Sequence, residues 1–169
     1  MSEKHSVIAE LYDFKVKDLL ESTNAKISYV EKTDAVEQVF LLLSKKNHVW
    51  VVDDSITLHV LGVITESDTL QLFAPPYTPL QSFDKPTLQS FQYGLATTAE
   101  EIMSKRPITT DLNEKIINVI AKMKQHKIKQ LPVVDENERL IGEGSLSRLI
   151  QEYSKRQAEI MKMKKTEIT

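Results

Sequence analysis

Val49-Trp50-Val51-Val52-Asp53 has a counterpart in Leu131-Pro132-Val133-Val134-Asp135, with an offset of 82 from Asp53 to Asp135. Each is a short apolar run that ends in Asp and is followed by a turn, which reads as a buried strand entering a hairpin. Upstream of each lies a helical stripe. Val36, Val39, Phe40 and Leu43 fall at i, i+3, i+4 and i+7, and so do Ile116, Val119, Ile120 and Met123. That spacing buries one face of a helix. Asp34 and Asn113 stand where N-caps are expected, with Glu37 placed to complete a capping box after Asp34. Downstream, each hairpin returns as an apolar strand containing a glycine, Val60-Leu61-Gly62-Val63-Ile64-Thr65 and Leu140-Ile141-Gly142-Glu143-Gly144-Ser145. A second helix then follows, from Glu66 to about Phe73 and from Leu146 to about Lys164.

The chain is thus written twice, and internal repetition is the first thing to settle in a fold. Short leading strands are expected at Lys26-Ile27-Ser28 and Pro107-Ile108-Thr109-Thr110. The expected class is α/β (α+β): two repeats, each a small three-stranded sheet with two helices, packed on each other with pseudo-twofold symmetry. The boundaries drawn are an N-terminal helix in 1–15, repeat 1 in 16–73, a connecting segment in 74–98, repeat 2 in 99–153 and a basic helix end in 154–169. The connecting segment holds Pro75, Pro76, Pro79 and Pro86 with Tyr77, Phe83, Phe91 and Tyr93. A structureless stretch of that length is uncommon inside a compact domain, so it reads as an ordered surface loop or short helix whose aromatics cover the core, or as a lid or partner surface.

Composition narrows the function classes. The 169 residues are 41% hydrophobic and 27% charged with a net charge of −2, the profile of a soluble globular chain. No basic excess calls for nucleic acid. Cysteine is absent, which removes disulfides and thiolate metal sites and is compatible with the cytoplasm. No apolar run approaches the roughly 20 residues that span a bilayer. His5, His48, His59 and His126 lack metal-ligand spacing, and no nucleophile with its base can be picked out. No catalytic residue and no metal is expected.

Ala99-Glu100-Glu101-Ile102-Met103, Pro107-Ile108-Thr109-Thr110, His126-Lys127-Ile128, Leu131-Pro132-Val133-Val134-Asp135 and Leu140-Ile141-Gly142 together resemble one cystathionine-β-synthase-type (CBS) domain. Val16-Lys17-Asp18-Leu19-Leu20, Val51-Val52-Asp53 and Gly62-Val63-Ile64-Thr65-Glu66-Ser67-Asp68 resemble a looser first copy. The resemblance covers about residues 16–153 and implies a tandem, or Bateman, module. Such modules bind adenosyl ligands (AMP, ADP, ATP, sometimes S-adenosylmethionine) in clefts between repeats, commonly form homodimers, and regulate other proteins.

The family's ribose pattern, Gly-x-x-(Ser/Thr)-x-x-Asp, is intact as Gly62-x-x-Thr65-x-x-Asp68. An Asp carboxylate can accept both hydroxyls of a ribose, and a helix N-terminus favours phosphate. By resemblance, Val63, Asn47 and His48 join from the first copy, and Ile108, Thr109, Ile128 and Lys129 from the second, with Lys129 or His48 facing phosphate. The bland reading of Thr65 and Asp68 is a helix cap, and the two roles are compatible. The second copy departs from the pattern: Gly142-x-x-Ser145-x-x-Arg148 puts Arg where the ribose acid belongs, so a degenerate second site is expected there. The expected function is a non-catalytic sensor of an adenine nucleotide, needing no metal and acting on a separate effector protein. The alternative is a structural adaptor that dimerises or binds a partner without ligand.

Overall fold

A computed structural model describes residues 3–20, 27–73 and 96–167. The fold is mixed α+β. Helices α1 (Glu3–Asp13) and α2 (Val16–Leu20) are followed by β1 (Tyr29–Glu31), α3 (Val36–Leu43), β2 (His48–Val52), β3 (Val60–Thr65) and α4 (Glu66–Phe73). After the connecting segment come α5 (Ala99–Ile102), β4 (Ser104–Lys105), α6 (Ile116–His126), β5 (Gln130–Val134), β6 (Leu140–Ser145) and α7 (Leu146–Glu167).

The chain divides into two compact units. One is continuous, Ser28–Pro107; the other is split, Met1–Ile27 with Ile108–Thr169. These units cut the chain differently from the boundaries expected from the repeats. The leading helix of each repeat belongs to the unit that holds the other repeat's hairpin. Backbone hydrogen bonds make the exchange explicit. In the split unit, Val16 N–H donates to Glu114 O, Lys17 N–H to Leu112 O and Ile116 N–H to Phe14 O, at 2.8–3.0 Å. In the continuous unit, Ala99 N–H donates to Asp34 O, Glu100 N–H to Lys32 O and Val36 N–H to Thr97 O, at 2.9–3.1 Å. The pattern is the same three bonds twice.

In the continuous unit the sheet order is β1-β2-β3-β4, with β1 parallel to β2 and the other pairs antiparallel. The first leading strand sits three residues later than expected, at Tyr29–Glu31. In the split unit β5 and β6 form an antiparallel pair, and the expected leading strand at 107–110 contributes a single parallel bridge, Thr110 to Val133. Pro107 lacks an N–H for a ladder, whereas Thr110 bonds β5 both ways, its N–H donating to Pro132 O at 3.0 Å and its O accepting from Val134 N–H at 2.9 Å. The four-stranded sheet of the continuous unit gains its extra strand from β4, not from its own repeat.

Each unit has its own core. Val30, Val39, Leu43, Val49, Val51, Ile64 and Ala99 fill the continuous unit. Val16, Leu19, Ile116, Val119, Met123, Leu131, Val133 and Leu149 fill the split one. The two helical stripes read from the sequence therefore face their cores. The expected caps do not: α3 starts after Ala35 and α6 after Lys115, neither with a side-chain cap. Asp34 instead accepts the Glu31 N–H at 2.8 Å, tightening the turn before α3. Asn113 donates its own N–H to the Asp111 carboxylate at 2.7 Å.

Helix α1 buries Val7 and Leu11 against α6 and α7, one turn apart on one face. Arg156 of α7 holds this end of the unit. Its Nε donates to Glu152 at 3.1 Å, its guanidinium lies 4.3 Å above the Phe14 ring, and Glu10 of α1 is 3.9 Å away. The segment 74–95, including the proline and aromatic residues singled out above, lies outside the described residues, as does Lys26.

Candidate functional site

Strand β3 ends at Thr65 and α4 begins at Glu66, so the last strand residue is also the helix N-cap. Asp68 occupies the third helical position and its Oδ2 accepts both the Thr65 N–H, at 2.7 Å, and the Thr65 hydroxyl, at 2.8 Å. This is the carboxylate arm of a capping box, with Asp in place of the longer Glu. The other oxygen, Oδ1, accepts the hydroxyl of Ser104 at 2.9 Å. Ser104 arrives on β4, directly opposite Val63.

Gly62 is what permits that approach. A Cβ at position 62 would lie 2.6 Å from Met103 Sδ and 2.7 Å from Ser104 O. The glycine of the ribose pattern thus opens room for the leading segment of the other repeat. Gly142 has the same task in the split unit, where a Cβ would meet Leu20 Cδ1 at 2.8 Å.

The antiparallel register sets His48 opposite Thr65 and Trp50 opposite Val63. His48 packs edge-on against the buried Trp50 with ring centroids 5.1 Å apart. The continuous unit therefore collects Val63, Thr65, Asp68 and His48 at one end of its hairpin, with exposed Asn47 just before β2. Ile108, Thr109, Ile128 and Lys129 belong to the split unit. There Lys129 O accepts the Leu146 N–H at 2.7 Å, fixing the start of α7, and Thr109 O accepts Lys122 Nζ at 3.0 Å.

At the degenerate position the box is inverted. Arg148 N–H donates to the Ser145 hydroxyl at 3.2 Å, and the Arg148 guanidinium reaches Gln151 Oε1 at 3.4 Å. Arg148 supplies only donors, so it cannot return the carboxylate arm that Asp68 supplies. A shallow recess beside it is walled by apolar Leu19, Leu20 and Met123 and rimmed by Glu143, Ser145 and Arg148. A broader one of about 1080 Å³ lies among Thr109, Asp111, Glu114, Lys122 and Asp135. Thr65 and Asp68 line neither. Among the described residues no group of three or more His, Asp or Glu side chains could hold a metal ion. No helix among them is long and apolar enough to cross a membrane.

Sequence reasoning missed Ser104. It lies 36 residues from Asp68 and carries no periodic signal. The usable hint was Gly62, since a glycine inside a strand marks close approach of another backbone.

Residues 99–155 match the CBS domain family. The homoserine O-acetyltransferase of Methanosphaera stadtmanae is 28% identical over 142 residues, 83% of this chain and 24% of that protein. The same-named protein of Methanosphaerula palustris matches likewise, so the chain spans about a quarter of the length of these curated relatives. Among solved structures, the CBS domain pair of protein MJ0100 in complex with 5′-methylthioadenosine and S-adenosyl-L-methionine superposes with a TM-score of 0.62 at 23% identity, covering 85% of this chain and 98% of that one. CBSX2 in complex with AMP gives 0.67 at 22% identity, with the same coverages. The chain carries a CBS domain and has the fold of a CBS-domain pair.

Proposed function

We propose that this chain, with repeats in 16–73 and 99–153, is a non-catalytic regulatory module that senses an adenosyl ligand of the AMP, ADP or ATP kind. The observation that carries this reading is the Thr65–Asp68 pair at the head of α4, a carboxylate held in place at the end of β3 in the position of the ribose pattern. The AMP and S-adenosylmethionine complexes of proteins with this fold support the ligand class. Asn47, His48 and Val63 would contribute beside it, and Ile108, Thr109, Ile128 and Lys129 from the second repeat. Ser145 and Arg148 would leave their own position empty or suited to a more phosphorylated ligand. No metal is required. The module acts in the cytoplasm on an effector protein, and its relatives' name points to the class of effector. The shared stretch is about a quarter of those proteins, and an acyl-transfer enzyme is the effector class to test first.

Calorimetric titration with AMP, ATP and S-adenosylmethionine tests the reading. Asp68→Ala should lose most binding, because a hydrogen bond to a charged group contributes about 1.5–3 kcal/mol, or roughly 10- to 150-fold in affinity. Unchanged affinity in Asp68→Ala would reduce the pair to a helix cap. The chain alone should show no acetyl transfer from acetyl-coenzyme A to homoserine.

The module assembles as a homodimer through helices that follow the third strand of each repeat. Leu70 and Phe73 on α4 are exposed, as are Leu146 and Ile150 on α7. On the same face of α7, Leu149 is turned into the split unit's own core. A constant monomer mass in light scattering over a wide concentration range would exclude assembly. The adaptor reading draws on Arg148, which removes one of the two ribose acids.

A further inference from the structure

We infer that Ser104 competes with the ligand for Asp68, and that a ribose diol must displace it to bind; this rests on Asp68 being the ribose acceptor. A carboxylate offers about four lone-pair positions. Three are occupied here: Thr65 N–H and Thr65 hydroxyl on Oδ2, and Ser104 hydroxyl on Oδ1. One position remains, whereas a diol that binds through both hydroxyls needs two. One donor has to leave.

Ser104 is the donor that leaves at least cost. The two Thr65 donors sit three residues from Asp68 and form the helix cap. Ser104 is exposed, comes from 36 residues away, and rides on a two-residue strand paired to β3 at Gly62–Lys105 and Val63–Ser104, with one further bond from Arg106 N–H to Leu61 O at 3.2 Å. Its released hydroxyl is solvated at once. The close passage of β4 over Gly62 keeps the serine in place when the site is empty. Ser104 thus sets how strongly a second hydroxyl is rewarded, and it makes β4 the element that registers occupancy. β4 lies just before Pro107, the last residue of the continuous unit.

The test is calorimetry on the full chain with AMP and with 2′-deoxy-AMP, which has one ribose hydroxyl and fits the single free position. Ser104→Ala should bind AMP about three- to tenfold more tightly, the factor for one modest hydrogen bond, while 2′-deoxy-AMP gains less than twofold. Ser104→Thr, which keeps the hydroxyl, should behave as the parent. AMP binding that appears only in Ser104→Ala also supports the inference. Equal or weaker AMP affinity in Ser104→Ala, an equal gain for both ligands, or no binding in either protein overturns it. Asp68→Ala separates the two failures: if it binds AMP like the parent, the site assignment itself is wrong, whereas loss of binding there with no gain in Ser104→Ala sinks the competition alone.

Discussion

Asp68 accepts two hydrogen bonds from Thr65 on one oxygen, from the backbone N–H at 2.7 Å and from the hydroxyl at 2.8 Å. The pair therefore has a structural duty that is independent of any ligand. Removing the carboxylate with Asp68→Ala should cost about 1 kcal/mol of stability, the usual worth of a cap. Thr65→Ser keeps both donors and should cost less. Urea unfolding without ligand measures this, and a stability unchanged by Asp68→Ala would mean that the cap contributes nothing.

The two strand glycines should respond unequally to the same added methyl. At Gly62 the new Cβ would press on the Ser104 carbonyl, a backbone atom that cannot rotate aside. At Gly142 the close contact would be with the tip of Leu20, a flexible side chain, with Val133 Cβ at an ordinary 3.4 Å. Gly62→Ala should therefore destabilise by about 1–3 kcal/mol, as overpacking does, and Gly142→Ala by less. Thermal unfolding of both variants decides the order, and the reverse order would contradict the close approach of β4.

Arg156 joins α7 to α1 through Glu152, Glu10 and the face of Phe14. The cation–π contact contributes about 0.5–1 kcal/mol and each ion pair no more. Arg156→Ala should lower stability by roughly 1–2 kcal/mol on these terms. Arg156→Lys should recover only part, because an ammonium cannot stack and pair at once. Hydrogen exchange should localise the loss to α1; uniform loosening of both units would argue against the clamp.

The hairpin turn of the continuous unit carries acid sensitivity. Burial pushes Asp53 up, but the Asp54 and His59 N–H groups, which donate to its Oδ1 at 2.8 and 2.9 Å, with the charge of His59, bring it below the usual carboxylate value. The Thr57 and Ile56 N–H groups lower Asp54 likewise. Folded values below unfolded ones mean that this stability is present above the unfolded value of about 3.9 and is lost as pH falls through the folded values. Unfolding free energy should owe nothing further to these groups between pH 5 and 7 and should drop below about pH 4. The Asp53→Asn, Asp54→Asn double variant should show a shallower drop; an unchanged slope would place the sensitivity elsewhere.

What was legible in the sequence was whatever repeats a side-chain pattern. β3, β6 and α4 run where the apolar alternation and the Thr-x-x-Asp junction put them, and Val36, Val39 and Leu43 face the core as their spacing required. The start of α3 was misread because the Asp34 carboxylate accepts the Glu31 N–H in its turn, and a turn competes with a cap for the same short polar side chain; before α6 it is Asp111, not Asn113, whose carboxylate shapes the turn, by accepting the Asn113 N–H. The exchange of leading helices was invisible because main-chain atoms carry it, from Val16 to Glu114 and from Ala99 to Asp34. Ser104 was hidden for a related reason: its partner is set by strand pairing, not by spacing along the chain.

The exchanged leaders also bear on how such a protein can be inherited. A gene segment copied from residue 16 to 73 would carry α2 away from the core that buries Val16 and Leu19, and would leave behind Ala99, which the remaining hairpin needs. A segment copied from 99 to 153 would make the reciprocal error. Recombination that respects the repeats as they are written breaks both cores, so the quantity that can be shuffled between genes is the whole duplicated stretch. Single copies have no reading frame of their own in the folded sense: a larger residue at Gly62 would need room made at Met103 and Ser104, and one at Gly142 room made at Leu20.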